Sequence, residues 1–317
     1  MLERAGLAPA DALAVASPLR FPDGAHFRIE IPSVESPRVL EAVVAAAHAH
    51  DIVVNRVSQG SGAMLLREIE LRDMAALGAE AGIEVSLFVG PRESYGVGAH
   101  ARSSDGAAQG GQLRGTRQLA YAIEDVLRAV ENGIRSFLVP DYGLLALLTD
   151  MQAAGELPAS CVWKISVAMA PSNPAALRTL ERMGASTANI PSDVSVAELA
   201  ELRAAVSLPI DLYVESPDGL GGVVRGYEVA ELVAVGAPLY AKFGLRNSRM
   251  LYPCGDHLVD EAVAIAREKV RRAAVGLEWL ERLGTGLVQS EPGAAGLGVP
   301  RVGSDAAASP VLEGGTV

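Results

Sequence analysis

Short apolar runs alternate with longer amphipathic stretches along this chain, and the alternation repeats eight times. Period-two alternation marks a strand, and apolar residues recurring every three or four positions mark a helix. The first strand is read at His26–Ile31, followed by Ser36 and Pro37 as cap and first helical residue of a helix over Val39–His50. Ile52–Val57, Ile83–Val89 and Ile134–Val139 read as the next three strands, with helices over Glu70–Ala81, Thr116–Glu131 and Leu144–Ala154. Val162–Met169 is the fifth strand and leads through Asn173-Pro174 into a helix ending near Gly184. Thr187–Ile190 is the sixth, and Ser195 opens its helix. Ile210–Glu215 and Leu239–Leu245 complete the set, with helices over Tyr227–Val235 and His257–Leu283, the last capped by Asp256.

Strands alternating with helices imply parallel βαβ units, and eight such units close a (β/α)8, or TIM, barrel. An open doubly wound sheet would carry a glycine-rich turn after its first strand, where this chain has Ile31-Pro32-Ser33-Val34. The expected organisation is an N-terminal arm over 1–20 and a single barrel domain over 21–284. A tail over 285–317, rich in Gly, Ala, Ser and Pro without periodicity, reads as disordered.

Alternate residues of a barrel strand face its interior, and polar side chains take that set. On this rule His26, Arg28 and Glu30 point inward from the first strand, Arg56 from the second, and Glu84 and Ser86 from the third. Asp141 ends the fourth strand; Lys164, Asn189, Glu215 and Lys242 belong to the fifth to eighth. An inert barrel would fill these places with Val, Ile and Leu. Part of the set, Arg28 and Glu84 above all, reads as a structural ion network; the rest are candidates for chemistry at the carboxyl ends of the strands.

The loops after the seventh and eighth strands carry Gly221, Gly222 and Arg225, then Arg246 and Arg249. Glycine backbone and guanidinium forks in these loops suit a phosphate or carboxylate, and Arg56 and Asn189 would also hold the substrate. The stretch 90–115 between the third strand and its helix reads either as a lid or as disorder.

Composition narrows the classes. The chain has 317 residues, 50% hydrophobic but only 4% aromatic, so its core is built from Ala, Val and Leu. A net charge of -11 without a basic block excludes nucleic acid as a partner. Two cysteines, Cys161 and Cys254, are too few for a disulfide framework or an iron–sulfur cluster. No apolar run is long enough to span a membrane, and the first residues lack a secretory apolar core, so the expectation is a cytoplasmic protein with a small-molecule substrate. A homo-oligomer is compatible with these features.

At the sixth and seventh strands the chain resembles peptidase family U32. The likeness lies in Asn189-Ile-Pro-Ser-Asp-Val-Ser-Val-Ala-Glu198-Leu, followed by Leu208-Pro-Ile-Asp-Leu-Tyr-Val-Glu215, and in Pro32-Ser33 running into Pro37–Ala42. The resemblance implies a barrel with a site at the seventh strand. Where the family carries a His-Gly-Ala-(Leu/Met)-Cys segment, this chain has Glu215-Ser216-Pro217-Asp218 and lacks the cluster cysteines. The proteolytic activity therefore does not carry over by residue.

Four functions follow. The first is carboxylate acid–base chemistry, hydrolase or lyase in type, by Glu30 and Glu215 with Asp141, with or without an oxygen-ligated divalent metal. The second is Schiff-base lyase chemistry at Lys164 or Lys242. Peptide hydrolysis is the third, for which no metal or triad motif is present. The fourth is a non-catalytic binding barrel, which requires mutually neutralised charges and a closed top.

Overall fold

The structure is a computed structural model. It describes residues 15–104, 106–107, 110–169, 171–249 and 251–303. Eight parallel strands among them form a closed barrel in sequential order. They are β1 (Phe27–Pro32), β2 (Arg56–Gln59), β3 (Glu84–Phe88), β4 (Ser136–Val139), β5 (Val162–Ile165), β6 (Thr187–Asn189), β7 (Ile210–Glu215) and β8 (Leu239–Phe243). The helices are α1 (Pro37–Ala49), α2 (Glu68–Ala81), α3 (Gly115–Glu131), α4 (Tyr142–Ala153), α5 (Pro174–Arg182), α6 (Val196–Ala205), α7 (Val229–Gly236) and α8 (Val259–Arg282).

The helix starts follow local chemistry. Asn173 accepts the Ala176 N–H at the head of α5, with Pro174 as first helical residue. Ser195 and Glu198 form a reciprocal capping box on α6. Asp256 does not cap α8: it starts a short 3-10 turn, Asp256–Leu258, that leads into the helix. β5 is shorter than its apolar run because Val167–Met169 curls into a 3-10 turn at the barrel rim.

Outward strand residues such as Ile29, Val57, Leu87, Phe137, Trp163, Ile210 and Leu212 are buried against the helices. That layer is the core, and its apolar burial supplies the main driving force for folding. The interior is polar. Glu30 aligns with Arg56 on one side and Lys242 on the other, Arg56 with Glu84, and Tyr213 with Lys242.

Residues 285–303 are not the structureless tail that their composition suggests. They cross the amino-terminal end of the barrel and close it. Ser290 donates its N–H to Phe27 O (3.1 Å), Gly298 donates to Glu84 Oε2 (3.1 Å), and Arg301 donates to Gly133 O (2.8 Å). Arg28 reaches down to Ser290 Oγ (2.9 Å) and Ala295 O (2.6 Å). This segment is held by polar groups of the strand ends, which a search for apolar periodicity does not register. Of the arm read over 1–20, residues 1–14 lie outside the described residues, as do 304–317 of the tail. No helix among the described residues is long and apolar enough to cross a membrane.

Candidate functional site

Glu30 is the hub of the barrel interior. It is fully buried, and its carboxylate accepts from Lys164 Nζ, from Ser58 Oγ at 2.7 Å and from Arg56 Nη1 at 3.5 Å. Lys242 Nζ stands 3.5 Å away. Burial pushes the Glu30 carboxyl up, but the charges of Lys164, Lys242 and Arg56 outweigh it and hold Glu30 well below the usual carboxylate range. Lys164 responds oppositely: burial, and the like charges of Lys242 and Arg56, bring its ammonium down to about 8 against the pull of Glu30.

Below this hub, Arg56 bridges Glu84 (2.8 Å) and Asp211 (2.9 Å), with its guanidinium 3.4 Å over the Tyr240 ring. Ser136 donates to Glu84 (2.6 Å) and Thr187 to Asp211 (2.8 Å). Arg28 does not pair with Glu84. It donates to Tyr240 Oη (3.0 Å) and packs 4.0 Å over Phe21. These groups are buried with their partners supplied, the arrangement a structural network requires.

Above the hub, at the carboxyl ends of the strands, lies a cavity of about 350 Å³. Lys242 forms part of its floor. Its ammonium donates to Asn189 Oδ1 and lies 4.2 Å over the Tyr213 ring. Asn189 is itself oriented by a 2.7 Å bond from Nδ2 to Ile165 O. Ser58 and Ser166 add hydroxyls to the wall, and Phe88, Leu138, Leu220 and Leu251 add apolar surface.

One side is built by described residues within 90–115. Glu93 N–H donates to Gln112 O (2.9 Å), Ser94 N–H to Gly110 O (3.1 Å), and Glu93 pairs with Arg114 at 3.3 Å. Ser94, Ala107, Gly110 and Gly111 face the cavity. Beside Arg92 and Gly60, Tyr252 shares a hydrogen bond with Ser33. Its ring leaves room only for glycine at position 60, where a Cβ would fall 2.3 Å from the ring carbon Cζ.

The structure separates the sequence candidates. Glu30, Arg56, Lys164, Asn189 and Lys242 meet in one network, of which Asn189 and Lys242 line the cavity. Glu215 does not join them. A register shift between Tyr213 and Glu215 breaks the alternation, and the carboxylate accepts the Arg246 N–H (3.0 Å) and faces Arg272 of α8 at 3.8 Å. Asp141 is the N-cap of α4, accepting from Leu144 N–H (2.9 Å), and also holds Leu113 N–H (3.2 Å).

Arg225 is tied to Glu228 (2.7 Å) and Val194 O (2.6 Å). Arg246 is exposed, 3.8 Å from Asp218, and outside the cavity wall. Arg249 lies at the rim, paired with Glu261 at 3.2 Å. Gly221 and Gly222 turn the chain at φ of 95° and 61°, but it is Gly219 and Leu220 that face the cavity.

Three cavity residues lie on no strand; Arg92 is legible just beyond the inward set of the third strand, whereas Tyr252 and Lys269 escaped strand alternation. Arg92 follows β3, Tyr252 follows β8, and Lys269 belongs to α8. A signal for Lys269 was present: it shares the buried stripe of Ala262, Ala266 and Ala273, where a lysine is out of place. Among the described residues, no group of three or more His, Cys, Asp and Glu side chains is arranged to hold a metal ion.

No family model matches this chain, and no curated protein matches it by sequence. Among solved structures it is similar to a U32 peptidase at 17% identity, covering 63% of this chain and 73% of that one, with a TM-score of 0.38. It is also similar to a truncated 3-deoxy-D-arabino-heptulosonate 7-phosphate synthase from Thermotoga maritima: 12% identity, 87% and 95% coverage, TM-score 0.44. A third is the carboxyl transferase domain of Rhizobium etli pyruvate carboxylase: 15% identity, 86% and 50% coverage, TM-score 0.44. These likenesses concern the fold alone.

Proposed function

We propose that this protein is a lyase-type enzyme that captures a small carbonyl compound as a Schiff base on Lys242. The observation that carries this reading is a lysine in the floor of the cavity, within 3.5 Å of a buried carboxylate that also holds a second lysine. A lysine amine in the floor of a cavity is placed to attack the carbonyl carbon of a bound compound.

The step balances as follows. The Lys242 ammonium and the carbonyl compound give an iminium and one water; the nitrogen forms its bond to the carbonyl carbon, and the carbonyl oxygen departs as that water. One proton must leave the ammonium before attack and a second must leave the nitrogen as the carbinolamine forms, and both end on the oxygen that departs as water. Glu30 stands next to Lys242 as a fixed counter-charge, and Lys164, brought down to about 8 on the same carboxylate, is the group that takes up and releases a proton near neutrality. The iminium then serves as an electron sink for breaking or making the adjacent carbon–carbon bond.

A mechanism run by paired carboxylates loses its support here, because Glu215 and Asp141 are spent on α8 and α4 contacts and Glu30 is held ionised by three cations. The binding-barrel reading keeps one observation in its favour, the neutralised network around Glu30 and Arg56. The cavity above that network counts against it.

The test is borohydride reduction of the protein in the presence of pyruvate, oxaloacetate and short aldehydes, followed by peptide mass mapping. An adduct on Lys242, absent in Lys242→Met and slowed in Lys164→Met, is the expected result. Absence of any adduct at either lysine across the panel would refute the mechanism and leave the binding barrel.

A further inference from the structure

The cavity is unusually cationic for so acidic a chain. Among the described residues four basic side chains line it, Arg92, Lys242, Arg249 and Lys269, against one acidic side chain, Asp218. Two of the four stand apart from the Glu30 network. Arg92 and Lys269 are 9% and 3% exposed, and neither makes an ion pair with any described carboxylate.

Their partners are backbone carbonyls of the same wall. Lys269 Nζ donates to Pro32 O at 2.7 Å, and Arg92 Nη2 donates to Gly60 O and Ser61 O at 2.5 and 2.7 Å. Arg92 Nε is buried and has no partner. The guanidinium carbon lies 3.8 Å from the Phe88 ring centre and 4.4 Å from that of Tyr95. Glu35, the acid behind this wall, is spent on the N–H groups of Gly60 and Ser61 and on the Ser61 hydroxyl, and burial pushes its carboxyl towards the neutral form.

Folded proteins pair their buried charges, because an unpaired ion out of water costs several kcal/mol or more. Arg28 and Arg203 are also buried without an ion pair to a described carboxylate, but they lie away from the cavity. Arg92 and Lys269 stand on its wall, share only the more distant pull of Glu35, and would complete their pairing with an anionic ligand. We infer that Arg92 and Lys269 form an anion subsite, so that the substrate carries a second acidic group, a carboxylate or a phosphate monoester, beyond the carbonyl that meets Lys242. This rests on the Schiff-base reading only for the position of the carbonyl; the anion subsite stands or falls separately.

Calorimetric titration of the full chain distinguishes the two. The probes are pyruvate against oxaloacetate and 2-oxoglutarate, and dihydroxyacetone against dihydroxyacetone phosphate, each on wild type, Lys242→Met, Arg92→Met and Lys269→Met. One charged contact is worth roughly tenfold in affinity, so a preference of about that size for a two-acid or phosphorylated probe is expected in wild type and in Lys242→Met. It should fall to near unity in both Arg92→Met and Lys269→Met, with circular dichroism confirming that each is folded. A preference for dicarboxylates identifies the second group as carboxylate, and one for the ester identifies it as phosphate; either supports the subsite. Equal affinity within each probe pair, a preference that survives both substitutions, or no binding at all overturns it. Retained anion preference with no borohydride adduct would sink the Schiff-base reading alone.

Discussion

Replacing Lys269 by methionine should stabilise the protein at neutral pH and weaken it slightly in strong base. The ammonium is completely buried, and burial lowers its pKa from 10.5 to about 8 against the pull of Glu35. That difference corresponds to about 3 kcal/mol of cost for keeping the charge in the folded protein. The sign follows from proton counting. Below pH about 8 both states carry the proton and the full cost is present. Between about 8 and 10.5 the folded state has released a proton that the unfolded state keeps, so wild-type stability rises with pH.

Methionine has a similar volume and no charge, but it forfeits the bond to Pro32 O, worth about 1 kcal/mol. The variant should therefore gain about 2 kcal/mol at neutral pH and lose about 1 kcal/mol once lysine is neutral in both states. Urea unfolding of both proteins at neutral pH and near the pKa of free lysine measures this. Taking the difference cancels Lys164, which titrates in both. A variant that is less stable at neutral pH, or a difference that does not change with pH, would refute the argument that Lys269 is an uncompensated buried cation.

Glu30→Gln removes the one carboxylate shared by Lys164, Lys242 and Arg56. It should cost about 3–5 kcal/mol in urea unfolding, since Lys242 loses its ion-pair partner and Lys164 its closer one; a loss below about 1 kcal/mol would contradict the hub role. Asp141→Ala should cost about 1 kcal/mol through the lost α4 cap and leave borohydride trapping on Lys242 unchanged. Failure of trapping in that variant would return Asp141 to the catalytic set. Gly60→Ala would place a methyl within 2.3–2.6 Å of three Tyr252 atoms. Overpacking of this kind costs about 1–3 kcal/mol, read as a lower melting temperature together with weaker ligand binding as Tyr252 is pushed from the cavity wall.

Strand and helix order, the closed parallel barrel and the polar interior were all legible along the chain, because each is written in local periodicity. Side-chain alternation alone brought Glu30, Arg56, Lys164, Asn189 and Lys242 to one axis, and they do meet there. The same rule failed at Glu215, where a shift in the β7–β8 register turns the side chain to α8; a bulge depends on pairing with a neighbouring strand and leaves no mark in its own strand's pattern. It failed at Asp141 because a strand-end aspartate looks the same whether it caps the next helix or faces a ligand. Residues 285–303 looked structureless because they are held by hydrogen bonds to strand ends contributed from far away in sequence. Lys269, Arg92 and Tyr252 come from a helix and two loops, and only the closing of the barrel brings their side chains to one wall. What the sequence determined by itself was the repeating unit and the inward charge, both functions of neighbours in the chain. Which charges pair, and that Arg92 and Lys269 reach the cavity wall without an ion pair to a described carboxylate, were decided by the tertiary structure, since electrostatic partnership depends on distance in space.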